Sequence, residues 1–284
     1  MTNDDDNDQS QVSAETGLDA AWRTERRSWQ ELLAKILTSG ENVSPLLMVP
    51  FAAMRILMLD WLHCVDLGVA AEFIGQMIWY FIVKKKVPGG KQAERIRQMH
   101  LLLQDYYDRQ PPGGTKDRLP SLNRGAIKGK KNKYACLKSN AGTIRHLVPW
   151  AMELAQQLCD QNDPIESALY FGMQSLDKCY AALSGAFPNA KEMLMQHSTA
   201  FAEHFFSLER VRPTAFHTKP KLHQFLELCA SGGDPAKHWN YRDEDFGGAV
   251  ANFGRRRGGP QSTREFSRGC MTKFMGQPVV RLVR

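Results

Sequence analysis

Several absences narrow this sequence before any of its motifs does. The six cysteines (Cys64, Cys136, Cys159, Cys179, Cys229 and Cys270) lie far apart and form no C-x-x-C pair. That excludes a zinc ribbon or finger and a disulfide scaffold. No Walker loop and no G-x-G-x-x-G or G-x-S-x-G motif occurs, so nucleotide hydrolysis and esterase chemistry have no support. There is no internal repeat. The N-terminus is acidic and polar, so no signal peptide is expected, and the cysteine usage suits an intracellular, reducing setting.

Acid is also outnumbered by base outside the first residues. The 284-residue chain carries a net charge of +7, yet its first fifteen residues hold Asp4, Asp5, Asp6, Asp8 and Glu15 and no Lys or Arg. The remainder is therefore more basic than the total implies. A basic body suits a polyanionic partner, nucleic acid more than membrane. The basic residues concentrate between 116 and 138, where Lys116, Arg118, Arg124, Lys128, Lys130, Lys131, Lys133 and Lys138 are opposed by Asp117 alone, and again at Arg255-Arg256-Arg257. Both runs read as phosphate contacts or as solvated faces.

The longest apolar window, Val65 to Val83, includes Asp66 and Glu72 and ends at Lys84-Lys85-Lys86. Two acids near the start of a membrane span are costly, so a buried helix with a basic end is expected, closing near Val87-Pro88-Gly89-Gly90. Ahead of it, Met54 to Leu59 is a short apolar run that stops at Asp60, with His63 three residues on. This is the pattern of a buried strand that delivers a carboxylate to a strand-to-helix junction. Taken alone, Asp60 also reads as the cap of the following helix.

Helical spacing is predicted over Leu18–Leu37 and Ala93–Tyr107, and in two or three helices between Asn140 and Arg210 broken at Asn162-Asp163-Pro164 and Phe187-Pro188. A further helix is predicted from Asp243 to Arg257, with three acids at its start and three arginines at its end, each matched to the helix dipole. His217, His223 and His238 offer no i, i+4 pair, and no cysteine completes a zinc set. His223 and Glu227 lie one turn apart, which suits a structural pair. The strongest chemical reading joins Asp60 to the Asp243-Glu244-Asp245 cluster. Two-metal phosphodiester chemistry needs carboxylates from separate elements on one pair of hard cations.

Taken together, these segments resemble the catalytic region of CACTA-type (En/Spm-like) DNA transposases, DDE/D enzymes with an RNase H-like core. One matching segment is Leu59-Asp60-Trp61-Leu62-His63 followed by an apolar helix. The other is Gly232-Gly233-Asp234-Pro235, then Trp239, Tyr241, Glu244, Phe246 and Gly248, then the arginine run. Lys219-Pro220-Lys221-Leu222-His223 resembles the family's His-containing stretch before that helix. The resemblance implies Asp60 and Glu244 as metal-binding catalytic carboxylates for Mg²⁺ or Mn²⁺, with His63, His223 and Trp239 in support. It also implies DNA as partner, contacted by Lys128, Lys130, Lys131, Lys133, Arg255, Arg256 and Arg257, with a nuclear location and possible homo-oligomers.

The pattern is departed from at Asp245, where a basic residue is usual, and at Gly247 beside Gly248. The family's first catalytic Asp belongs on a strand of an N-terminal hairpin, and the residues before Asp60 read as a tail, a helix and a loop. Asp19 starts a helix instead. With one ligand of three missing, most of the rate is lost, so a catalytically incomplete, truncated piece is expected.

The expected fold is mostly α with a small α/β part, an incomplete RNase H-like core interrupted by an all-helical insertion domain. Its divisions are an acidic tail (1–17), the first core part (18–90), the insertion with its basic loop (91–212), the second core part with the Glu244 helix (213–258) and a basic tail (259–284). The alternative is a nucleic-acid-binding or helical scaffold protein without catalysis.

Overall fold

The computed structural model describes Ala34, Thr38 and Tyr241 together with residues 59–111, 117–128, 134–230 and 234–237. The chain divides into two compact units, Met1–His238 and Trp239–Arg284, and all but one of the described residues belong to the first. Every regular element among them is helical. The run 54–58, predicted as the opening strand, lies outside the described residues, as do nearly all of the helix predicted over 18–37 and all of that over 243–257.

The central element, α1, opens as a wide π-helical stretch over Leu62–Ala70 and continues as an α-helix over Ala71–Val83. It is long and apolar enough to cross a membrane, but 89% of its apolar window is buried inside the fold. Its hydrophobicity is that of a core helix. The helix ends at Val83, a turn before the predicted Pro-Gly stop. Lys85 adopts a left-handed backbone (φ 58°) and the Lys86 N–H bonds back to the Phe81 carbonyl at 2.9 Å, the closing bond of a Schellman turn. Arg95, itself buried, completes this end by donating to the carbonyls of Ile82 (2.7 Å) and Gly89 (2.9 Å). Carbonyls at a helix end need such donors once water is excluded.

Helix α2 spans Gln92–Arg109 and a single turn, α3, spans Arg124–Ile127. Three long helices follow: α4 (Ala141–Leu158), α5 (Pro164–Leu183) and α6 (Ala190–Val211). Their starts are written locally. Asn140 accepts the Thr143 N–H at 2.7 Å, and Asp163, just before Pro164, accepts the N–H groups of Ile165 and Glu166. These are N-caps, with proline at the first helical position where its missing N–H costs nothing. Gly185 (φ 76°) lies just past the end of α5, where a left-handed residue stops a helix. The last helix, α7, spans Pro220–Ala230.

α1 packs against α2, α4, α5 and α7. A line of aromatic rings runs through the core: Tyr180 to Trp61 (5.5 Å), Trp61 to Phe225 (5.8 Å), Phe225 to Phe201 (5.9 Å) and Phe201 to Phe73 (5.0 Å). Each fully buried ring of this kind contributes about 2 kcal/mol or more. The two acids inside the apolar window both have partners. Asp66, fully buried, accepts from the Tyr180 hydroxyl at 2.5 Å, and Glu72 accepts from Lys219 at 2.7 Å.

Gly75 marks the closest approach to α1. A Cβ there would sit 2.6 Å from the Leu137 nitrogen and 2.7 Å from the Cys136 Cα. The extended segment after Tyr134 crosses the helix at this point, and the Leu137 N–H bonds to the Ala71 carbonyl at 2.8 Å. The end of the basic loop is thereby pinned to the central helix.

Candidate functional site

Asp60 sits immediately before the first turn of α1. Its Oδ2 accepts the His63 backbone N–H at 3.1 Å and lies 2.5 Å from His63 Nδ1, while Oδ1 lies 3.4 Å from the Leu62 nitrogen. These bonds satisfy donors that a helix start leaves open. The carboxylate is largely covered while the imidazole is half exposed. Between them, Trp61 and Leu62 are core residues. The Asp-Trp-Leu-His run thus joins a largely covered carboxylate to a half-exposed imidazole, with two core anchors between them, and the cap reading of Asp60 describes its geometry.

The segment that resembles the family's His-containing stretch packs beside this turn. Cys64 Sγ donates to Gln224 Oε1 at 3.6 Å, Lys221 Nζ donates to the Leu67 carbonyl at 3.3 Å, and Trp61 meets Phe225 edge to face. The start of α1, with Trp61 and Cys64, and α7, with Lys221, Gln224 and Phe225, some 160 residues apart, are therefore neighbours in the fold. Burial, and then the negative charge of Asp60, pushes the Cys64 thiol up.

Lys219 is held on both sides. Its ammonium bonds Glu72 and lies 5.4 Å from the Tyr134 ring centre, and that ring stacks on His217 at 5.8 Å. Glu209 accepts from the Thr218 backbone and hydroxyl and faces His217 Nδ1 at 3.5 Å. Burial raises the Glu72 carboxyl, with the bond from Lys219 acting in the opposite direction. His223 is half-buried on α7.

Glu244, Trp239, Lys130, Lys131, Lys133 and Arg255, Arg256 and Arg257 lie outside the described residues. Among the described residues no group of three or more His, Cys, Asp or Glu side chains is placed to hold a metal ion. Asp60 is the one described carboxylate of the implied Mg²⁺ set, and its Oδ2 already takes two donors from His63. The several oxygens such an ion requires are not assembled from the described residues alone.

Lys128, the described one of the four loop lysines implied to contact DNA, leads to a second location. Its ammonium lies 4.9 Å from the Trp79 ring centre. On the neighbouring ring, Tyr80, Arg212 lies at 5.3 Å and Lys84 at 5.9 Å. Three cations from separate segments thus converge on two adjacent aromatic residues at the end of α1. The face is anchored beneath. The Tyr80 hydroxyl donates to buried Glu166 at 3.2 Å, and Glu166 also accepts from Lys86 at 2.5 Å and from the Asp160 N–H at 2.7 Å. Burial and the Glu166 charge raise the Tyr80 hydroxyl well above its ordinary value, so it stays a neutral donor.

Trp79, Tyr80, Lys84 and Arg212 were not legible as a site in the sequence. Trp79 and Tyr80 fall inside an apolar window that the core explains. The signal that was available is the cationic run Lys84-Lys85-Lys86 one helical turn after an aromatic pair.

Comparison of the chain with models of known families, with characterised proteins and with solved structures yields no match. The functional reading therefore rests on the residues and their arrangement.

Proposed function

We propose that this chain is a transposase-derived nucleic-acid-binding protein. The observation that carries the reading is the convergence of Lys84, Lys128 and Arg212 on Trp79 and Tyr80. Cations interleaved with aromatic rings suit a phosphate backbone with unstacked bases. The proximity of the start of α1 to α7 supports the same origin, because the family resemblance draws on both. In this reading the start of α1 and α7 belong to an RNase H-like core, and α2 to α6 form the insertion. Asp60 and Glu244 are the carboxylates proposed to share Mg²⁺ or Mn²⁺, and a DNA partner carries with it a nuclear location.

The test is equilibrium binding of duplex DNA across a salt series. The affinity is expected to fall linearly on a log–log plot, and the slope to flatten by about 0.9 for each phosphate-contacting cation neutralised at Lys84, Lys128 or Arg212. No retention at low salt would leave a helical interaction module. Strand cleavage is a separate question. Nicking with Mg²⁺ or Mn²⁺ that disappears in Glu244→Gln would establish the metal site.

A further inference from the structure

A cleft of about 180 Å³ opens beside the cationic face, lined among others by Gln76, Trp79, Tyr80, Val83, Lys128 and Arg212. Gln76, Trp79, Tyr80 and Val83 follow the i, i+3, i+4, i+7 spacing of one helix face. Gln76 is 3% exposed, and its Nε2 is buried with no hydrogen-bond partner among the described residues. A buried amide donor without a partner is costly, so the position asks for an acceptor.

Three requirements meet in this cleft. Its floor needs a neutral acceptor, its side is aromatic and planar, and its mouth carries two cations. The volume equals that of about six waters, the scale of one six-membered heterocycle. We infer that the cleft takes one unstacked base of a single-stranded nucleic acid, a base carbonyl accepting from Gln76 Nε2 while the adjoining phosphates meet Lys128 and Arg212. A lone anion would leave the aromatic side unused, and an apolar side chain would leave Gln76 unpaired. This rests on the nucleic-acid reading above and adds to it a base-contacting subsite.

The test uses the full chain with two probes of equal length and charge, oligo-dT and a strand of abasic nucleotides. Wild type is expected to bind oligo-dT about tenfold more tightly at the same salt, a gain within the range of one stacked and hydrogen-bonded base. Gln76→Leu, nearly isosteric, is expected to lower oligo-dT to the abasic level with abasic binding unchanged. Val83→Trp fills the mouth from a 45% exposed position that the core does not depend on, and is expected to do the same. Charge removal at Lys128 and Arg212 should weaken both probes together.

Equal binding of the two strands by wild type would overturn the base subsite and leave the DNA reading standing. Retention of the full preference by folded Gln76→Leu or Val83→Trp would also overturn the subsite. Failure to retain either strand at low salt would overturn the subsite, and failure to retain duplex DNA as well would overturn the nucleic-acid reading.

Discussion

Replacing Lys86 by Met tests the anchor beneath the aromatic face. The Glu166 side chain is 4% exposed and takes three donors: the Lys86 ammonium, the Tyr80 hydroxyl and the Asp160 N–H. Lys86→Met keeps the aliphatic stem but leaves a buried carboxylate with two neutral donors. Breaking a buried pair from one side costs about 3–5 kcal/mol. Glu166→Gln is milder. It keeps the shape and an acceptor for Tyr80 or Asp160, and Lys86, whose side chain is 29% exposed, can turn to solvent. Its expected cost is about 1–2 kcal/mol. The double variant removes the uncompensated charge, so it should be about 2 kcal/mol more stable than the sum of the single changes implies.

Urea denaturation of the four proteins measures the cycle, with midpoints read at constant m. Additive costs, or a Lys86→Met cost below about 1 kcal/mol, would refute the buried-pair account and return the contact to the class of weak surface bridges. The pair also carries a pH signature. Its hydrogen bond to Glu166 raises the Lys86 ammonium above its ordinary value. The stability it contributes is thus fully present below about pH 10.4 and is lost as pH rises through the raised value.

Gly75→Ala is expected to cost about 1–3 kcal/mol, because its methyl would meet backbone at Leu137 and Cys136 that cannot rotate away; thermal melting checks this, and an unchanged melting point would remove the close approach. Burial holds the imidazoles of His197 and His204 below their ordinary value, so the unfolded chain binds more protons just below pH 6.5. Stability should therefore fall as pH drops from about 6.5, and His197→Gln should flatten that slope in denaturant titrations. Burial, and then the charge of Glu166, pushes the Cys159 thiol up to about 12. Its thiolate fraction at pH 8 is on the order of a thousandfold below that of a free thiol, and site-mapped alkylation of the native protein should leave it unlabelled while free cysteine reacts.

How far the sequence reaches depends on how local the cause is. Asn140, Asp163-Pro164 and Pro188 mark the ends of the long helices because a cap or a missing N–H acts within one turn. The apolar spacing of α2 and α4 reports their buried faces for the same reason. The Asp60 motif was legible as a pattern with two readings. The side-chain bonds to Leu62 and His63 show that the cap holds, and the proximity of α7 was invisible from spacing. Asp66 looked like a flaw in an apolar helix until Tyr180, 114 residues later, supplied its donor.

The sequence by itself determined a mostly helical fold for the described residues, a basic body and several helix ends, since charge, turn chemistry and periodicity are carried by neighbouring residues. Only the tertiary structure decided which cations face which rings. Lys84, Lys128 and Arg212 belong to three distant segments, and the packing that buries Gln76, Tyr80 and Glu166 brings them to one face.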